Sequence, residues 1–193
     1  MGGERSVRAG FVLVGGRSSR MGRDKALLPL DGSTLIQHIA SRVQQAAGSA
    51  TLIGSPERYE GLGYPVIPDR IQGPEGAGRG PLGGVYTALC ATHANWNLIV
   101  ACDMPAVTAD FFEDLLSAAE ASSADCLVPE TAAGLEPLCA VYHRRCRDAA
   151  GQALTDNLLK MHDFLNSLHA QRWPVLDPSR LLNANTPEEW RSR

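Results

Sequence analysis

The chain has no surplus of positive charge: 18 Lys and Arg stand against 21 Asp and Glu, a formal net charge of −3 over 193 residues. Neutralising nucleic-acid phosphates needs a basic field, so this balance argues against a nucleic-acid partner. An anionic membrane surface finds little to attract either. Long apolar runs are missing too, and none approaches the roughly 18 residues that span a bilayer. Near the start the apolar stretch runs only from Phe11 to Val14, too short for the hydrophobic region of a signal peptide. Cysteine is scarce and odd in number: Cys90, Cys102, Cys126, Cys139 and Cys146. No two form a CxxC pair, and most lie in apolar runs such as LIVACD and PLCAVY. That pattern speaks for buried reduced thiols rather than disulfides or a zinc site. Repeats, linkers and low-complexity tails are absent as well. Together these features predict one reduced, soluble, cytoplasmic domain over residues 1–193, long enough to bury its own core.

What is present is an alternation of short apolar runs with helical stretches. Residues 10–14 (GFVLV) read as a buried strand stopped by Gly15 and Gly16. Residues 33–47 place Leu35, Ile36, Ile39 and Val43 at helical spacing, with Ser33 or Thr34 as the cap and Gly48 as the stop. Residues 51–53 and 65–67 read as strands separated by a polar loop. Residues 81–91 read as a helix with Pro81 in its first turn, and 97–102 (NLIVAC) as the most apolar strand. A helix over 108–121, capped by Thr108, precedes strands at 126–129 and 138–142. Helices at 144–154 and 158–168, a strand at 172–176 and a short helix at 186–191 complete the series. Strands that are apolar throughout, alternating with helices, predict an α/β fold with a mostly parallel sheet covered on both faces.

Ligands of such sheets bind beyond the carboxyl ends of the strands. After the first strand, residues 15–25 (GGRSSRMGRDK) combine three glycines, two hydroxyls, three arginines and a lysine. Glycines let backbone N–H groups approach a phosphate, and the cations neutralise it; a solvated basic turn is the alternative. Neither the P-loop pattern nor GxGxxG is present. After the most apolar strand comes Asp103, a carboxylate suited to Mg²⁺, which takes oxygen ligands and keeps several waters; capping of the next turn is its other reading. Asp69 follows the strand at 65–67 in a similar position. Residues 73–84 hold six glycines in twelve, either a loop over a ligand or a disordered stretch. Gly83 and Gly84 inside an apparent helix point to close packing or a ligand at that turn, since glycine there costs roughly 1 kcal/mol against alanine. The five histidines have no metal-like spacing and read as structural.

Taken in order, five segments resemble one family. Residues 13–25 (LVGGRSSRMGRDK) look like the N-terminal signature of nucleotidyltransferases with a Rossmann-like sheet. The segments 80–84 (GPLGG), 102–105 (CDMP), 136–142 (EPLCAVY) and 183–189 (NANTPEE) are similar to those of molybdenum cofactor guanylyltransferases. The resemblance covers nearly the whole chain, although the first segment is shared with sugar and cytidylyl relatives. It implies transfer of GMP from GTP to the terminal phosphate of molybdenum-molybdopterin, yielding molybdopterin guanine dinucleotide and pyrophosphate, with Mg²⁺ as cofactor. Leu13, Val14 and Gly15 would contact the nucleoside, largely through backbone, together with Asp69. Lys25 would contact phosphate with Arg20 beside it, and Asp103 would ligate Mg²⁺. Gly84, Asn183 and Asn185 would line the pterin side.

Two departures stand out. Val14 replaces the more usual Ala. Gly54 falls where relatives often carry a nucleoside-contacting Asn, which moves base selectivity elsewhere. The residue 73–80 loop is also longer than the family pattern. Competing readings are cytidylyl transfer to the same pterin, nucleotidyl transfer to a sugar phosphate, and a non-catalytic cofactor carrier. A carrier needs no metal carboxylate, so the pairing of Lys25 with Asp103 argues against it. The molybdenum insertion protein and apo-molybdoenzymes or their chaperones stand as candidate protein partners.

Overall fold

The computed structural model describes residues 8–15, 24–30, 32–71 and 79–181. Its main sheet has eight strands, seven of them in one path. Strand β1 (Arg8–Leu13) lies inside the sheet, parallel to β4 (Thr51–Ile53) on one side and β6 (Trp96–Ala101) on the other. Beyond β4 lies the two-residue β5 (Val66–Ile67), again parallel. The short strands β2 (Pro29–Leu30) and β3 (Ser33–Thr34) form a separate hairpin.

On the other side the expectation of a mostly parallel sheet holds with one reversal. Strand β9 (Cys139–His143) runs antiparallel to β6 and to β7 (Cys126–Thr131), while β10 (Ala170–Pro174) is parallel to β7. The two-residue β8 (Gly134–Leu135) folds back on β7 and turns the chain into β9. Strand β10 lies two residues earlier than the apolar pattern suggested. Leu176 falls outside it and is fully exposed. The expected helix at 186–191 lies outside the described residues.

Helices cover both faces, because alternate residues of the central strands are apolar in both directions. On one face Val12, Leu98 and Val100 meet α1 (Leu35–Ala47) and α4 (Ala109–Glu120). On the other, Phe11 and Ile99 meet α3 (Gly80–Ala91), α5 (Cys146–Thr155) and α6 (Met161–Asn166). Leu35, Ile36, Ile39 and Val43 of α1 are all fully buried. Burying one such side chain contributes about 2 kcal/mol, so this single helical stripe supplies a large part of the face. Thr34 caps α1: its hydroxyl accepts from the Gln37 amide, and Gln37 Oε1 accepts from the Thr34 amide in return. Gly48 ends the helix in the left-handed region, a conformation that favours glycine. Thr108 caps α4 by accepting from the Phe111 amide. All five cysteines are free thiols, with Cys126, Cys139 and Cys146 buried. No helix among the described residues is long and apolar enough to cross a membrane.

Candidate functional site

The carboxyl ends of β1, β4, β5 and β6 lie side by side, and the expected site residues fall along that edge. Val14 and Gly15 leave β1, Gly54 leaves β4, Asp69 follows β5, and Asp103 follows β6 by two residues. Gly15 has φ +117°, a backbone conformation costly for any residue with a Cβ. The Val14 amide donates to Ile53 O at 2.9 Å and the Gly54 amide to Ile67 O at 3.0 Å. Both donors therefore belong to the sheet ladder, so a ligand at this edge would meet carbonyl groups and the Gly15 end of the turn. A Cβ at Gly54 would lie 2.5 Å from the Val14 carbonyl oxygen and 2.6 Å from Val14 Cγ2. The two departures read in the sequence are thus one contact, with the Val14 side chain lying where a side chain at 54 would begin.

Lys25 opens a 3₁₀ turn, Lys25–Leu27, whose cap is Asp24: its Oδ1 accepts from the Ala26 amide at 3.1 Å. The turn brings Lys25 Nζ to 4.0 Å from Asp103 Oδ2. The lysine side chain is 16% exposed and the aspartate 32%. At that distance the charges attract without a direct hydrogen bond. The loop carrying Asp103 is held from behind by α1: Arg42 Nη1 donates to the carbonyl oxygens of Pro105, at 2.6 Å, and of Val107. Met104 buries its side chain beneath the same loop. Burial pushes the neighbouring Cys102 thiol up to about 12, with Asp103 adding and Lys25 opposing. That thiol is protonated at neutral pH and is no nucleophile.

Asp69 Oδ1 is buried and has no hydrogen-bond partner among the described residues. Burial raises the Asp69 carboxyl, against a smaller opposing contribution from the Thr87 hydroxyl. Thr87 itself donates to Gly83 O at 2.8 Å and accepts from the Arg70 amide at 3.0 Å, tying this loop to α3. Gly84 is buried, and a Cβ there would lie 3.0 Å from Leu13 Cδ2. Close packing of α3 on β1 therefore explains this glycine, and through Leu13 it bears on the end of β1.

The 136–142 segment holds a further polar group at the site, Glu136, whose place no local pattern in the sequence signals. Because β9 is reversed, the residues before it lie at the same edge as those after β6. The Ala101 amide donates to Leu138 O at 2.7 Å. Fully buried Tyr142 donates its hydroxyl to Pro137 O at 2.7 Å and fixes this turn. The Glu136 carboxyl is raised by burial and then by Asp103, so the two carboxylates feel one another. Tyr59, at the end of α2 (Pro56–Tyr59), was also missed: buried, it donates to Asp24 Oδ2 at 2.8 Å. A lone aromatic in a polar loop was the only signal. Among the described residues no three His, Cys, Asp or Glu side chains converge as a metal site. Arg20, Asn183, Asn185 and residues 72–78 of the glycine-rich loop lie outside the described residues.

The covered α/β sheet, with a glycine turn, a lysine and a strand-end aspartate at its carboxyl edge, is that of a nucleotidyltransferase, the class its family match gives. More narrowly, the chain belongs to the MobA-like NTP transferase domain family, which it matches over residues 10–171. A probable molybdenum cofactor guanylyltransferase from a Nostoc species is 32% identical over 182 residues, spanning 93% of this chain and 86% of that protein. One from Bacillus anthracis is 33% identical over 193 residues, spanning 96% and 94%. Among solved structures, molybdopterin-guanine dinucleotide biosynthesis protein A from Archaeoglobus fulgidus superposes with a TM-score of 0.77 at 25% identity, covering 95% of each chain. The 2-C-methyl-D-erythritol 4-phosphate cytidylyltransferase of Thermus thermophilus shares the fold, with a TM-score of 0.68 at 15% identity over 94% of this chain and 95% of that one.

Proposed function

We propose that this chain, as one domain in the cytoplasm, transfers GMP from GTP to the terminal phosphate of molybdenum-molybdopterin, releasing pyrophosphate. The observation that carries the reading is the 4.0 Å approach of Lys25 to Asp103 at the carboxyl edge, in a chain whose relatives bear the guanylyltransferase name. Leu13, Val14, Gly15, Gly54 and Asp69 take the nucleoside. The orphaned Asp69 Oδ1 supports this, because a buried acceptor needs a donor and a nucleoside hydroxyl or N–H supplies one. Lys25 and Arg20 take the phosphates. Asn183, Asn185 and Gly84 serve the pterin side.

A monoester phosphate has its second pKa near 6, so the attacking oxygen is already mostly ionised at pH 7. No general base is required. The chain's task is to align two polyanions for in-line attack at the α-phosphorus and to stabilise the charge that grows on pyrophosphate. Lys25 does so as a fixed cation, held by its capped turn. Asp103 fits Mg²⁺: it is a partly exposed oxygen donor, close enough to a second carboxyl, Glu136, to add to the burial that raises the proton affinity of that group. Mg²⁺ takes one or two carboxylates and completes its shell with water and phosphate, and when bound it neutralises charge on the phosphates.

The test is pyrophosphate release with GTP and CTP in equal competition, molybdenum-loaded molybdopterin serving as acceptor. A guanine-containing product is expected. A product containing mainly cytosine overturns the guanylyl reading and leaves the nucleotidyltransferase class standing.

A further inference from the structure

Two candidate subsites, the base end at Gly54 and the phosphate end at Lys25, lie on different elements, the end of β4 and the 3₁₀ turn. One side chain touches the frame of both. The Tyr59 ring lies under the end of β4, where its Cε2 is 3.1 Å from the position of a Cβ on Gly54. Its hydroxyl donates to Asp24 Oδ2 at 2.8 Å. The other oxygen of that carboxylate caps the turn that begins with Lys25. Tyr59 is 1% exposed, so solvent cannot replace this hydrogen bond without opening the packing around it. A hydrogen bond to a carboxylate is among the stronger kinds, and a buried one defines its geometry closely.

We propose that Tyr59 is a positioning residue, which through Asp24 fixes the Lys25 turn relative to the base-binding end of β4. The proposal rests on the reading of Lys25 as a phosphate contact. Its consequence is that the distance between nucleoside and phosphate contacts is set inside the protein before nucleotide arrives. Tyr59 acts without touching substrate. The burial that isolates its hydroxyl also pushes the phenol pKa up, with Asp24 adding to it, so the donor keeps its proton throughout the neutral range.

Tyr59→Phe removes the hydroxyl and keeps the ring against Gly54. Pyrophosphate release with GTP and molybdenum-loaded molybdopterin is measured for wild type, Tyr59→Phe, Lys25→Ala and the double variant, with urea unfolding of each. Expected is a fall in kcat of about tenfold for Tyr59→Phe, the scale of one charged hydrogen bond, with KM for GTP changed less. In the Lys25→Ala background the same substitution should do little more, since its route of action is gone. An equal loss in both backgrounds, or none in wild type, overturns the proposal. A silent Lys25→Ala instead overturns the reading of Lys25 and the proposal with it. If Tyr59→Phe unfolds at much lower urea than wild type, Asp24→Asn replaces it in the cycle. The cap-and-anchor role of Asp24 predicts the same non-additivity, and an additive result overturns the proposal.

Discussion

The two ends of β1 handle charge in opposite ways. At the amino end, Arg8 is fully engaged: Nη1 reaches Glu113 at 2.7 Å, while Nη2 and Nε reach Glu120 at 2.7 and 2.8 Å. Its guanidinium is held even further above its ordinary range, chiefly by the Glu120 hydrogen bond. At the carboxyl end, opposite charges stand 4.0 Å apart, Asp69 keeps an unanswered oxygen, and Glu136 and Asp69 are both made harder to ionise by burial. One end is settled by the protein's own groups. The other carries electrostatic tension that a charged ligand can relieve, and it is the end where ligands of such sheets bind.

The sharpest way to separate the ends is to remove one charge from each. Asp103→Asn should lower kcat for pyrophosphate release by about a hundredfold or more, the scale on which a preorganised charge acts on a transition state. Its urea midpoint should stay near that of wild type, because the carboxylate is partly exposed and its ion pair with Lys25 is a loose 4.0 Å contact that contributes little to stability. A correctly folded Asp103→Asn with wild-type turnover would break the contrast. Arg8→Gln should do the reverse: kcat unchanged, and stability lowered by about 1 kcal/mol, as expected for a partly exposed ion-pair network. Urea unfolding measures it. A fall in kcat for Arg8→Gln would mean that the two ends are coupled through β1. The smallest effect concerns Asp69. Its raised pKa means that the folded chain keeps a proton which the unfolded chain releases near pH 4. Stability attached to this group is therefore greatest at low pH and declines as pH rises through the window between the unfolded and folded values. Asp69→Asn should flatten that decline in urea midpoints taken from pH 4 to 7, and should weaken GTP binding at the same time.

The same division governs what the residues disclosed before the structure. Strands buried on both faces announce themselves as apolar runs, and so β1, β6 and the helices with clear caps stood out. The reversal of β9 did not, because orientation lies in the β8 turn and not in the composition of the strand. β2 and β3 are two residues long each, below the length at which any alternation can register. At the site, residue types at strand ends pointed to Lys25, Asp69 and Asp103. Tyr59 escaped, since its link to Asp24 joins positions 35 apart in the chain and no local pattern encodes such a contact. Gly54 was visible as a missing side chain, but the reason lay in Val14.

That contact makes positions 14 and 54 a single decision for anyone who would redesign the edge. Gly54→Asn on this background meets both a methyl and a carbonyl oxygen of Val14. Trimming Val14 to alanine clears the methyl and leaves the carbonyl, which moves only if the ends of β1 and β4 part slightly. A side chain could therefore be installed at 54 only as part of a joint exchange, with neither change informative alone. Mutational scans made one position at a time would record position 54 as intolerant and miss that the Val14 side chain is part of the reason.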